Sequence, residues 1–397
     1  MKVTPTQVES TILELIRAAF PLGESAARLP DLEDTDWPLL VKTADHHGLA
    51  SLVFASLKKS GLLSLAPKSA IETLRLAYVR ASVANQQAFQ ELSFLIDRFE
   101  REKIPLIILK GGALGVTIYP DIALRPMGDL DLLIAPDTVE RATHALVDQG
   151  YVSYAEMADG FANRFSVEQA FLRKGSRPSQ IDLHWHAFTT PYYFERMPVE
   201  WFQRRTMEIS INGRRAFAFS PTAQLMHLSA HYMMHSYRRL IWSYDMALLI
   251  ARCYRQIDWE DLIESAAEFG LSQVLYEALS EVRERWGVRV PVAYYERLRT
   301  IQMPWRGRVI YAATNKLSDA ELDVLKGLGL KGARRKSAYW LRVMFPSRGY
   351  MKTRYGINNR GLMPLYYLRR AGKAAHLLAR ASFFVTRNAI LPRRASG

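Results

Sequence analysis

Two aspartates separated by one residue, Asp129 and Asp131, head an apolar run that continues through Leu132, Leu133 and Ile134. On a β-strand, residues two apart project from the same face. Both carboxylates would then stand together, with Leu130 and Leu132 packed beneath. Carboxylates held side by side repel, and one of them takes up a proton unless a cation lies between them. A hard divalent ion answers that need. Mg²⁺, or Mn²⁺ as the alternative, prefers carboxylate oxygen and keeps sites for water and phosphate. Two such ions roughly 3.5–4 Å apart can clamp the attacking and leaving oxygens of a phosphoryl displacement. Asp-x-Asp also arises from plain alternation on a solvated strand. The chemical reading is favoured by the Gly-Gly pair upstream and by the apolar run that follows.

A third carboxylate, Asp182, lies in the alternating segment Ile181-Asp182-Leu183-His184-Trp185-His186. Asp182, His184 and His186 share one face of that strand. If it pairs beside the first strand, the three aspartates converge. Asp182 would then bind the acceptor-side metal or take the acceptor's proton, with His184 near the nucleotide. Gly111 and Gly112 follow a short apolar run, where glycines let backbone N–H groups approach a phosphate. Lys110 and Arg125 are the cations placed to meet that phosphate, although each would serve equally as a surface charge.

The elements that must position these residues divide the chain into three zones. Apolar spacing of three and four predicts helices over 8–20, 37–63 and 69–102. Short strands follow at 105–110, 129–135, 151–155, 170–174 and 180–186. A helix begins at Pro136, a favourable first position for proline, and the predicted sheet is small and mixed with helices on one side. From Ser220-Pro221 the pattern turns helical again, over 222–235, 240–254, 259–268 and 272–286. The expected division is a helical region (1–102), an α/β core (103–219), a helical domain (220–323) and a basic, aromatic-rich tail (324–397).

Composition excludes some classes. The single cysteine, Cys253, rules out an internal disulfide and a thiolate zinc cluster, which fits a reducing cytoplasm. The N-terminus has no apolar secretion signal, and no apolar run is long enough to span a bilayer. The net charge of +14 is local: 17 of the 53 Lys and Arg residues lie after Asp323, where there is no Asp or Glu. The rest of the chain is close to neutral.

The order LKGGAL, RPMGDLDLLI, IDLHWH resembles the uncharacterised nucleotidyltransferases of the DNA polymerase β-like superfamily. The stretches Leu225 to His231 and Arg239 to Leu249 are similar to the helical segment that follows the catalytic sheet in that family. The resemblance implies an α+β fold, with a small mixed sheet flanked by N- and C-terminal helical regions. It implies Gly111 and Gly112 at the phosphates of a nucleoside triphosphate such as ATP. Asp129 and Asp131 would hold both metals, with Asp182 on the acceptor side. The implied reaction moves a nucleoside monophosphate to an acceptor and releases pyrophosphate. An RNA acceptor reached through the tail, or a scaffold that only binds nucleotide, are the competing readings.

His227, His231 and His235 recur every four residues and would line one helical face, as metal ligands, substrate contacts or a structural stripe. The tail interleaves aromatics with cations around Tyr339 to Phe345 and Pro364 to Arg370. That pattern suits an anionic membrane surface, nucleic acid, or simple packing on the body.

Overall fold

The computed structural model describes residues 4–23, 29–33, 35–153, 166–173, 175, 180–235, 239–316, 327, 330–357 and 359–390. The expected strand ends at 154–155 and 174, and part of the tail including Arg393 and Arg394, lie outside them.

Helix α1 (Pro5–Ala19) starts at Thr4, whose hydroxyl and the Gln7 side chain satisfy each other's backbone donors. The continuous pattern over 37–63 splits into α2 (Trp37–His46) and α3 (Ala50–Lys59). Gly48 takes a left-handed φ of 72° between them, which no helix can continue through. Helix α4 (Lys68–Arg101) runs 34 residues, as the long amphipathic pattern predicts.

The described strands are β1 (Leu106–Ile108), β2 (Leu130–Ile134), β3 (Val152–Ser153), β4 (Glu168–Leu172), β5 (Gln180–His184), β6 (Thr206–Ile211) and β7 (Arg214–Phe219). They form one mixed sheet in the order β3-β4-β5-β2-β1-β7-β6. The β6–β7 hairpin goes beyond the strands expected from sequence. Its turn is Asn212-Gly213, both at positive φ, the pairing that a two-residue hairpin turn requires.

Strand periodicity sorts the side chains. Ile108, Leu130, Leu132, Ile134, Ile181 and Leu183 share a core with Phe89, Leu92 and Phe99 of α4. Helix α6 (Val139–Asp148) adds Ala142 and Leu146 to it. Leu133 and Phe219, on other strand positions, join a larger core built from α1–α3 and the helices Pro221–Met234, Leu240–Cys253, Trp259–Phe269 and Ser272–Trp286. Helices therefore cover both sides of the sheet, not one side as the sequence pattern indicated. The second layer packs over the β1–β7 end. Over β2 and β5 Asp182 stays half-buried, and Asp129 is exposed.

Candidate active site

Strands β2 and β5 run parallel in a register that sets Asp131 directly opposite Asp182. Alternation then dictates the rest of this face. Leu133 lies opposite His184, and His184 lies opposite Glu168 across the antiparallel β4–β5 pair. Asp129 falls in the bend just before β2 rather than on the strand.

Asp131 is 5% exposed. Its Oδ1 accepts from Lys110 Nζ at 2.7 Å and from His184 Nε2 at 3.0 Å. Burial works against this carboxylate, but the Lys110 ammonium and then His184 outweigh it and hold the group well below the usual carboxylate range. Burial likewise opposes the Lys110 charge, and Asp131 overcomes it and pushes the ammonium up. Its neighbours behave in the opposite way. Desolvation first, and then Asp131, raise Asp129. The same two causes lift Asp182 to about 6. Asp182 also accepts from Gln180 Nε2 at 2.8 Å. Asp131 is paired with a lysine, whereas among the described residues neither Asp129 nor Asp182 forms an ion pair.

Lys110 reaches Asp131 because it opens helix α5 (Lys110–Thr117) at a φ of +45°. Gly111 and Gly112 lie inside the first turn of that helix rather than in a turn ahead of it, and both are buried. A Cβ on Gly111 would stand 2.9 Å from Met127 Cγ, and one on Gly112 would stand 2.9 Å from Ile108 Cγ2. The glycines thus let α5 seat closely against β1 and the segment before β2.

Arg125 is committed elsewhere. Its Nε donates to both oxygens of Asp245, at 2.8 and 2.9 Å, and Tyr119 Oη donates to Asp245 Oδ1 at 2.6 Å. Asp245 is fully buried on the helix Leu240–Cys253. Burial opposes the guanidinium charge, and Asp245 overcomes it and drives the group further up. Asn85 on α4 holds the same loop through the carbonyls of Ile122 and Arg125. This clamp fixes the segment that delivers Asp129.

His186, on the same strand face as Asp182 by sequence, leaves the site: its Nε2 donates to the Met197 carbonyl and its Nδ1 accepts from the Phe188 N–H. Sequence reasoning passed over Glu168, whose Oε2 is 3.5 Å from His184 Nδ1. It also passed over Asp245 as the partner of Arg125. Neither carries a local signal, since each meets the site only through strand pairing or helix packing. His227 and His231 are buried on the helix Pro221–Met234. Burial and then the Lys110 charge push His227 down to about 3 and His231 well below its ordinary value.

No three carboxylate, imidazole or thiol groups among the described residues converge closely enough to form a ready metal cage. The donor set still fits a hard divalent ion. Mg²⁺ is ordinarily held by one or two carboxylates, with the remaining sites filled by water and substrate phosphate.

The family described as uncharacterised nucleotidyltransferase matches residues 33–287, well over half of the chain, and the protein belongs to it. Among solved structures, an antigenic nucleotidyltransferase-like protein from Paracoccidioides brasiliensis is similar at 16% identity. That match covers 56% of this chain and 96% of the other, with a TM-score of 0.33. No curated protein matches the chain.

Proposed function

We propose that the protein transfers a nucleoside monophosphate from a nucleoside triphosphate, such as ATP, to an acceptor and releases pyrophosphate. The observation that carries this reading is the parallel β2–β5 register, which sets Asp131 beside Asp182, with Asp129 at the mouth of β2. Asp129, Asp131 and Asp182 would hold Mg²⁺ or Mn²⁺ brought in with the triphosphate. When bound, the ion would neutralise charge on the phosphates and on the attacking oxygen.

The chain's own groups do the remaining work. The acceptor oxygen attacks the α-phosphorus, its bond forms as the bond to pyrophosphate breaks, and the acceptor's proton goes to Asp182. Lys110, released from Asp131, pairs with phosphate oxygens. His184 and Glu168 keep the Asp131 carboxylate oriented. Gly111 and Gly112 bring the start of α5 close to the phosphates, and Arg125 acts through the clamp on Asp245. Catalysis of this kind rests on positioning and charge neutralisation.

Thermal melting with each nucleoside triphosphate tests the proposal, with and without Mg²⁺ or Mn²⁺, on the native chain and on Asp129→Asn/Asp182→Asn. A ligand that binds only the folded state at a hundredfold excess over its Kd stabilises by about 2.7 kcal/mol. A metal-dependent rise that the double variant lacks is expected. No rise with any nucleotide at millimolar concentration overturns the reading.

A further inference from the structure

The C-terminal helix Met363–Ile390 spans 28 residues, about 42 Å at 1.5 Å per residue. Leu365 and Phe383 are 62% and 69% exposed. They lie eighteen residues apart, roughly five full turns, so they point the same way. Leu368, 72% exposed, flanks them on one side, and Arg369 and Lys373, both exposed, flank them on the other. Leu362, in the turn before the helix, is 47% exposed. The opposite side is occupied: Met363 packs with Met351 and Ile357, and Arg370 bonds the Val343 carbonyl and Tyr355. The helix thus presents a leucine pair near its start and Phe383 about 27 Å further along, with Gly372, His376 and Ala379 between them on the same face and cations at the edge, and the last 74 residues contain no acidic residue. Leu362, Leu365 and Leu368 lie within two turns of one another, a group of exposed apolar side chains rather than single scattered ones.

We propose that this face docks the protein on an anionic phospholipid surface, with Leu362, Leu365, Leu368 and Phe383 in the acyl boundary and Arg369 and Lys373 at the headgroups. The cations set along the helix keep it in the plane of the interface, and no described helix is long and apolar enough to cross a membrane. The disposition of the aromatics selects lipid over nucleic acid. Base stacking needs free aromatic faces, yet Tyr339 is buried, Tyr355 packs on Tyr366, and Tyr367 packs on Phe345 while donating to the Pro346 carbonyl. Apart from Phe383, the large apolar side chains exposed on the outer face of the described helix are leucines, which suits hydrocarbon.

Vesicle flotation of the full chain tests the proposal, using phosphatidylcholine alone against phosphatidylcholine with phosphatidylserine. The anionic vesicles should capture about tenfold more protein or better, and added salt should erase most of the difference. Leu365→Glu/Leu368→Glu and, separately, Arg369→Glu/Lys373→Glu should each abolish capture while melting at the native temperature, because all four residues are exposed. Equal flotation of these variants and the native chain overturns the proposal. So does a native chain that ignores vesicles but retards single-stranded RNA in a gel. A dimer by light scattering that Leu365→Glu/Leu368→Glu dissolves, with no vesicle capture, also overturns it. Nucleotide-dependent melting is independent of all these outcomes, so this surface and the transfer reaction stand or fall separately.

Discussion

Replacing Asp245 with asparagine keeps the shape of a fully buried side chain and removes its charge. In the native protein its two oxygens accept from Arg125 Nε at 2.8 and 2.9 Å and from Tyr119 Oη at 2.6 Å. The variant leaves the Arg125 guanidinium, itself 8% exposed, without a counter-charge. It also turns an amide donor toward one of two existing donors. Breaking a buried pair in this way costs about 3–5 kcal/mol. For a cooperative unit of 150–250 residues, each kcal/mol moves Tm by about 2–4 °C, so the fall should be roughly 10 °C. Urea unfolding at neutral pH measures the free energy directly. Arg125→Met/Asp245→Leu removes both charges and should recover most of the loss, because buried apolar replacements of an ion pair are often neutral or better. A loss under about 1 kcal/mol for Asp245→Asn would refute the reasoning. A double variant no more stable than the single one would refute it too.

Other consequences can be checked on the same protein. Burial holds His186 down at about 4 and His227 at about 3 in the folded state, against an ordinary 6.5. Both bind protons more readily when unfolded, so the stability they confer is complete above 6.5 and drains away as pH falls toward 4. His186 alone should account for about 3 kcal/mol of that loss, and urea titrations of His186→Gln across this range should show a flatter acid limb. Gly112→Ala drives a methyl into Ile108 Cγ2 and should cost about 1–3 kcal/mol; an unchanged urea midpoint would show that α5 can shift without penalty. Lys110→Met strands the Asp131 carboxylate and should lose about 2–4 kcal/mol. Adding Asp131→Asn should return at least half of it, and equal losses in the two chains would deny the pair its role.

The strands that carry Asp131 and Asp182 were legible from residue type alone. Leucines alternating with Asp129 and Asp131, and Ile181 and Leu183 alternating with Asp182 and His184, predict which side chains face the core, and the two strands pair in the register that this requires. The long helix α4 showed equally clearly, because its apolar spacing runs unbroken. The β6–β7 hairpin had a readable signal in Asn212-Gly213 between alternating runs. What the sequence could not display was partnership across distance. Lys110 and Arg125 look alike as cations beside a glycine pair, yet one folds onto Asp131 and the other onto Asp245, 120 residues later. Single-residue patterns fix the face a side chain takes, not the element that arrives to meet it.

The order of the strands in space also governs when the site comes into being. All three aspartates have been synthesised by residue 182, but β1, an inner strand of the sheet, has one edge bare until β7 pairs with it through Ile107–Phe217 and Ile108–Ala218. Parallel pairing over such a separation closes late, since the loop entropy is lost before the contact repays it. At about 5–20 residues per second of synthesis, the 110 residues between these partners occupy roughly 5–20 s. During that interval the nascent chain carries an unpaired edge beside the strand that holds Asp131, open to capture by another strand. The β6–β7 hairpin is therefore the element that ends this exposure, and its tight local turn lets it be ready as one unit when β1 is waiting for it.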